Sequence, residues 1–221
     1  MARQTKVRNK NPYIIVFWEG ESEMAYMKFM RREFHEKANV KINKKRGVFQ
    51  AAVKAFSTKG EYKDELKDID EIWFLFDTEP DMRNQWEEYF AVVQKVRKQC
   101  KNARVRLLMT KSCIEYFFLL HYEKTAPSIS NPSDKDLILK RLKDNHCPSY
   151  SKGDMESTFK IASHYMMGIQ NGRWSLNRIA NEIGNLQDSD ERNRRLLLTD
   201  CTFTNVHEGI EYLLSLKKYE C

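Results

Sequence analysis

Two unbroken apolar runs dominate the pattern along the chain: Tyr13–Trp18 and Ile72–Phe76 within Glu71–Phe76. Continuous apolar runs of this length predict strands buried on both faces, as in a parallel sheet covered by helices on two sides. Between them, Met24, Met27 and Met30 recur at helical spacing with Phe29 and Phe34 nearby, predicting a helix capped by Ser22 and running to about His35. Val40–Asn43 reads as a further strand. Lys44-Lys45-Arg46-Gly47 reads as a basic turn, and Val48–Phe56 as a short helix that Lys59-Gly60 ends. Beyond Glu71–Phe76 the pattern predicts a turn at Pro80-Asp81, a helix over Trp86–Cys100, a strand over Val105–Met109, and an apolar helix starting at Ser112. Alternation of strand and helix to about residue 123 implies βαβ crossovers and a mainly parallel α/β sheet flanked by helices.

The character then changes. Thr125–Ser133 is rich in Ser and Pro and reads as a linker or lid loop. Helical patterns follow over Lys135–Asn145, Ser157–Met167, Ser175–Ile183 and Val206–Lys217. The expected organisation is an α/β core over residues 1–123 with a helical appendage over 124–221, packed on the core.

Composition narrows the class. Of 221 residues, 41 % are hydrophobic and 31 % charged, a globular balance with enough chain for one substantial core. The net charge of +7 favours a polyanionic partner such as nucleic acid. Five irregularly spaced cysteines give no zinc pattern and fit a reducing compartment. The basic tail over residues 1–12 has no signal-peptide core, and no apolar run reaches the ~18 residues of a membrane span. A cytoplasmic protein without membrane attachment is expected.

Both buried strands end in acids: Glu19-Gly20-Glu21-Ser22-Glu23 after the first, and Asp77-Thr78-Glu79 after the second. In an open parallel sheet, ligands bind beyond the carboxyl ends of the strands. If these strands are neighbours, Glu19, Glu23, Asp77 and Glu79 converge, and bare carboxylates that converge require a cation. Oxygen donors of this kind suit Mg²⁺ or Mn²⁺, which also bind phosphate oxygens. Against this, acids after a strand are common helix caps and turn formers. Neither a P-loop nor a GxGxxG pattern is present, which argues against ATP hydrolysis.

The pattern strand–Glu-Gly-Glu-Ser-Glu followed by strand–Asp-Thr-Glu resembles a Toprim domain, the Rossmann-like fold shared by topoisomerases, primases and OLD-family nucleases. The resemblance implies acid–base or metal chemistry at Glu19 and Mg²⁺ binding at Asp77 and Glu79, with Asp-Thr-Glu standing where many members have Asp-x-Asp. Glu19 with Glu23 is more similar to the nuclease branch than to the primases. Ser112-Cys113-Ile114-Glu115-Tyr116-Phe117-Phe118-Leu119-Leu120-His121-Tyr122 and Thr204-Asn205-Val206-His207 resemble RloB-like Toprim proteins, with Lys111-Ser112 in place of an expected Asn-Pro. Proteins of that kind occur in restriction and abortive-infection loci. The resemblance implies a metal-dependent endonuclease acting on DNA or RNA, tRNA included, in antiphage defence beside an ABC- or AAA-type ATPase. It leaves open a homo-oligomer, and the alternative of a non-catalytic module docked on that ATPase.

Glu115 sits among aromatics. It is either a further metal ligand, because burying an unpaired carboxylate is costly, or part of an exposed helix stripe. The resemblance places Lys152, in Tyr150-Ser151-Lys152, as a group that stabilises charge on the phosphate; as a bare residue it reads equally as a solvated lysine. Lys41, Lys44, Lys45 and Arg46, the Arg31-Arg32 pair, and Arg192, Arg194 and Arg195 are candidate nucleic-acid contacts, with Lys44, Lys45 and Arg46 the foremost. Trp86 and Trp174 are candidate base-stacking groups but fit core positions better, and His121 and His207 read as structural.

Overall fold

The computed structural model describes residues 11–129 and 131–217. The basic tail lies outside them up to residue 10, as does Ser130 of the Ser- and Pro-rich loop. Four parallel strands form one sheet: β1 (Tyr13–Trp18), β2 (Asn39–Ile42), β3 (Glu71–Thr78) and β4 (Arg104–Lys111), in the order β2-β1-β3-β4. Strands β1 and β3 are therefore neighbours at the centre, in a register that sets Ile14 beside Glu71 and Trp18 beside Leu75. This is an α/β, Rossmann-like sheet with a helical C-terminal part, as the apolar runs predict.

Alternate residues of each central strand feed two cores. Ile14, Val16, Trp73 and Leu75 pack into one layer with α1 (Glu21–Glu33) and α4 (Ile114–Leu119). Ile15, Phe17, Ile72, Phe74 and Phe76 pack into the other with α2 (Phe49–Ala55) and α3 (Trp86–Gln99). Burial contributes roughly 1.5–3 kcal/mol for each of these large apolar side chains.

Chain beyond residue 124 builds onto both layers. The first layer gains α5 (Pro132–Asn145), α6 (Met155–Ala162) and α10 (His207–Ser215). The second gains α8 (Ala180–Ile183) and α9 (Asp190–Leu198). Helix α7 (Tyr165–Asn177) joins the two, with Ile169 in the first and Leu176 in the second.

The segment Phe203–Asn205 covers the free edge of β4. The Lys111 amide donates to the Phe203 carbonyl at 3.0 Å, and the Asn205 side chain bonds the Met109 amide (2.5 Å) and the Leu107 carbonyl (2.9 Å). An edge strand left open would template pairing with other chains, so this cover explains the Thr204-Asn205 motif structurally.

Three expectations need correction. The helices read as Ser157–Met167 and Ser175–Ile183 are divided differently: α6 stops at Ala162, and α7 runs through Gly168 and Gly172 to Asn177. Those glycines make room for buried imidazoles, since a Cβ at either would lie within 3 Å of His121 or His207. Helix α9 lies where only a charge run was read. Its Arg192 is buried, bonded to Glu208 at 2.6 and 3.0 Å and to Asp188 at 3.1 Å, and Arg195 pairs with Glu191. Arg192 therefore ties α9 to α10 and is not available to nucleic acid. Trp86 is buried and stacked on Phe90, the core position that its helical spacing favoured.

Candidate active site

Strand order places the crevice. From β1 the chain crosses over to β2 on one side, and from β3 to β4 on the other, so the crossovers diverge between β1 and β3. Ligands bind at such a switch point, beyond the carboxyl ends of the strands. A cleft of about 350 Å³ lies there, and Glu19, Glu23, Asp77, Glu79 and Glu115 all line it. The structure thus gathers every acid that the sequence pattern singled out, from the ends of β1 and β3 and from α1 and α4.

Each acid is placed for a local reason. Glu19 follows Trp18 directly, and its Oε2 accepts the Asp77 amide at 3.2 Å, bridging the ends of β1 and β3. Asp77 lies within β3 rather than past it, since the strand runs to Thr78. Glu23 belongs to the first turn of α1 and is buried, so its carboxylate folds back toward Gly20. Gly20, and not Ser22, occupies the cap position of that helix.

A Cβ on Gly20 would come within 2.5 Å of Glu23 Oε2, so only glycine leaves the carboxylate its place. Gly20→Ala is accordingly expected to displace Glu23 and weaken divalent-cation binding by about 10–100-fold while the fold persists. Calorimetric titration with Mn²⁺ beside a circular-dichroism melt reads both effects.

Glu115 reaches the cleft because the chain turns sharply after β4. Ser112 adopts φ 68°, and its amide donates to the Thr78 carbonyl at 3.1 Å, which throws the first turn of α4 over the end of β3. A non-glycine residue in that conformation stores on the order of 1 kcal/mol, a cost typical of functional turns. Glu115 is 3 % exposed, which excludes the solvent-stripe reading.

Groups that local sequence patterns do not mark hold Glu115. The Tyr150 hydroxyl donates to its Oε1 at 2.8 Å and lies 3.0 Å from Ser22 Oγ, which accepts the Gly153 amide at 3.1 Å. Since the Tyr150 proton goes to Glu115, Ser22 donates to Tyr150. The correction to the capping role is clear: Ser22 fastens the 150–153 loop to α1. That loop holds Lys152, which is exposed but comes within 3.9 Å of Glu115 Oε1. Lys135 of α5, unmarked in the sequence, pairs with Glu79 at 2.5 Å and lines the same cleft. Arg46 donates to the Glu19 carbonyl at 2.7 Å and also lines the cleft, whereas Lys44 pairs with Glu61 at 3.2 Å. Glu21 lies exposed on the cleft wall.

Electrostatics of the acids are unfavourable as they stand. Burial, then the charges of Glu115 and Glu19, push the Glu23 carboxyl up to about 7. Burial and the four neighbouring carboxylates hold the Asp77 carboxyl well above its usual range. Burial also raises Glu19, against the pull of the Asp77 amide. Asp77 Oδ1 is out of contact with solvent and has no hydrogen-bond partner among the described residues. A buried, unpartnered carboxylate oxygen is costly unless something binds it.

Among the described residues, no three acid, imidazole or thiol groups already close on one point. Their present partners account for this, because Glu79 leans to Lys135, Glu115 to Tyr150 and Glu19 to the Asp77 amide. The donor set is nonetheless all oxygen, and Asp77 Oδ1 is free to accept. These residues fit a hard divalent cation.

His121 and His207 take no part. Both are buried, and burial lowers them to about 4 and about 3 respectively, so each stays neutral. Among the described residues, no helix is long and apolar enough to cross a membrane.

No curated protein and no solved structure matches the chain. The family model described as RloB-like protein matches residues 14–213, nearly the whole length. The protein belongs to the RloB-like family.

Proposed function

We propose that this protein is a metal-dependent nuclease of Toprim type that hydrolyses phosphodiester bonds of nucleic acid. One observation carries the reading: six carboxylates line one cleft at the switch point of the sheet, and one of them, Asp77, keeps a buried oxygen without a partner.

Asp77, Glu23, Glu79 and Glu115 are the residues that would hold Mg²⁺ or Mn²⁺, with Glu19 as a further ligand. The bound ion supplies Lewis-acid polarisation of the phosphate and lowers the pKa of an attacking water. The chain's own groups do the rest. Glu19, half-buried at the end of β1 and raised by that burial, is suited to accept the proton of the water. Lys152 and Arg46, both exposed at the cleft, place positive charge where the phosphate oxygens gain negative charge. Tyr150 and Ser22 orient Glu115 and do not touch substrate.

In this reading residues 1–123 are the catalytic Toprim core. Residues 124–221 complete the site through Lys135, Tyr150 and Lys152 and seal the edge of β4. Family membership fits a role in defence, and we place the nuclease in the cytoplasm as the effector beside a partner ATPase.

The test is cleavage of plasmid, single-stranded DNA and total tRNA by the purified protein with Mg²⁺ or Mn²⁺. Wild type is expected to cut at least one of them. Glu19→Ala is expected to lower the rate by two to three orders of magnitude with an unchanged circular-dichroism spectrum. Wild type that cuts none and binds no metal would transfer the argument to the docking module without catalysis.

A further inference from the structure

A second cationic surface lies away from the acidic cleft and has no role in the chemistry above. Helices α1 and α6 pack side by side, and both begin at the cleft: α1 with Glu21 and Glu23, α6 just after Lys152. Between them runs an open groove lined by Lys28, Arg31, Arg32, His35, Met155 and Phe159. No acid lines it. Lys28 and Arg31 make no ion pair among the described residues, whereas Lys135 and Lys152 at the cleft pair with Glu79 and Glu115. The remaining acid of α1, Glu33, acts on Tyr165 of α7.

Arg32 is held in a particular way. Its guanidinium lies 4.5 Å from the centre of the Phe159 ring and 5.4 Å from that of Phe29, while the two rings meet edge to face at 5.5 Å. The residue as a whole stays exposed. A guanidinium held over an aromatic ring on an exposed residue offers a platform for an unpaired base. His35 Nδ1 meets the Arg32 carbonyl at 2.8 Å and helps to fix that turn. From Glu21 at the cleft, Lys28 is ~10 Å along α1 and Arg32 ~16 Å, at 1.5 Å per residue. The cations thus lie along α1 beyond its cleft end.

We propose that the groove between α1 and α6 carries a single-stranded segment of the substrate away from the acidic cleft, with Lys28 and Arg31 on its phosphates and the Arg32–Phe159 stack beneath a base. The proposal rests on the nuclease reading and specifies its substrate: an unpaired strand, or a duplex with a single-stranded flank. Duplex alone offers no free base to Arg32.

Binding is measured by fluorescence anisotropy with labelled oligonucleotides in EDTA, so that nothing is cut, over 50–200 mM salt. The probes are single-stranded DNA, single-stranded RNA and a DNA duplex of one sequence. Wild type is expected to prefer the single strands. Lys28→Gln with Arg31→Gln, both at exposed or half-exposed positions, should reduce affinity for them about 5–10-fold. Loss of two phosphate contacts should also flatten the salt dependence of log K by about 1.4.

Arg32→Lys keeps the charge but loses the plane, so it should retain the salt slope and lose the preference for single strands. Unchanged affinity and slope in the double variant would overturn the groove while leaving the nuclease reading intact, provided that wild type binds. A duplex preference in wild type would overturn it too. Wild type that binds no nucleic acid in EDTA overturns the groove, and cleavage with Mg²⁺ or Mn²⁺ decides the nuclease reading separately.

Discussion

Asp77→Asn is expected to abolish phosphodiester cleavage and, at the same time, to raise the melting temperature of the metal-free protein. Both effects come from one feature. The Asp77 carboxylate sits at the end of a central strand, hemmed in by Glu19, Glu23, Glu79 and Glu115, with Oδ1 buried and unpartnered. Without a cation, ionising it opposes four like charges in a poorly solvated place.

The amide removes that charge at nearly constant shape, and the fold should gain on the order of 1 kcal/mol. In a chain of this size that corresponds to roughly 2–4 °C. Activity goes the other way, because a neutral amide is a far weaker ligand for a hard cation. Cleavage should fall by on the order of 10³-fold. A core aspartate kept for stability would give the reverse melt, so a lower melting temperature in Asp77→Asn speaks against the site.

The second large effect concerns pH. Glu23 is raised from 4.5 to about 7 in the folded protein, first by burial and then by Glu115 and Glu19. Between those values the folded state holds a proton that the unfolded chain has released, so stability falls as pH rises. The stabilising contribution is complete below about 4.5 and gone above about 7. A shift of this size amounts to about 3 kcal/mol. Asp77 and Glu19 are raised as well and act in the same direction.

The metal-free protein should therefore melt at a clearly lower temperature at pH 8 than at pH 5.5. Millimolar Mg²⁺ should recover stability at pH 8 and do little at pH 5.5, where protons compete for the same oxygens. Glu23→Gln should flatten the profile. Thermal melts across that range, with and without Mg²⁺, read the whole pattern, and a metal-free profile that rises with pH would oppose it.

Much of this was legible because the signals are local. Doubly buried strands are written as unbroken apolar runs, and an acid at the end of such a run has only one place to go, the carboxyl edge of the sheet. Glu115 was legible in part, since a carboxylate inside Ile114–Leu120 must be paired or exposed, and burial decides between the two. What escaped the sequence depends on contacts across the chain.

Tyr150 and Ser22 are 128 positions apart, and nothing near either one announces the bond between them. Lys135 was hidden in an amphipathic helix pattern, because its partner Glu79 arrives from β3. The same cause produced the misreading of Arg192. A run of arginines reads as a solvated face until Glu208 and Asp188 are seen to enclose one of them. The continuity of α7 through Gly168 and Gly172 escaped because those glycines make room for buried histidines instead of ending a helix.

The central claim is that the acids at the ends of β1 and β3, with Glu23 and Glu115, form a cation site. Calorimetric titration of Mn²⁺ into wild type and Asp77→Asn at pH 8 tests it most directly. The account predicts saturable binding in wild type and binding at least 10-fold weaker in the variant. No binding to wild type even with nucleic acid present, or equal binding to both proteins, would contradict it.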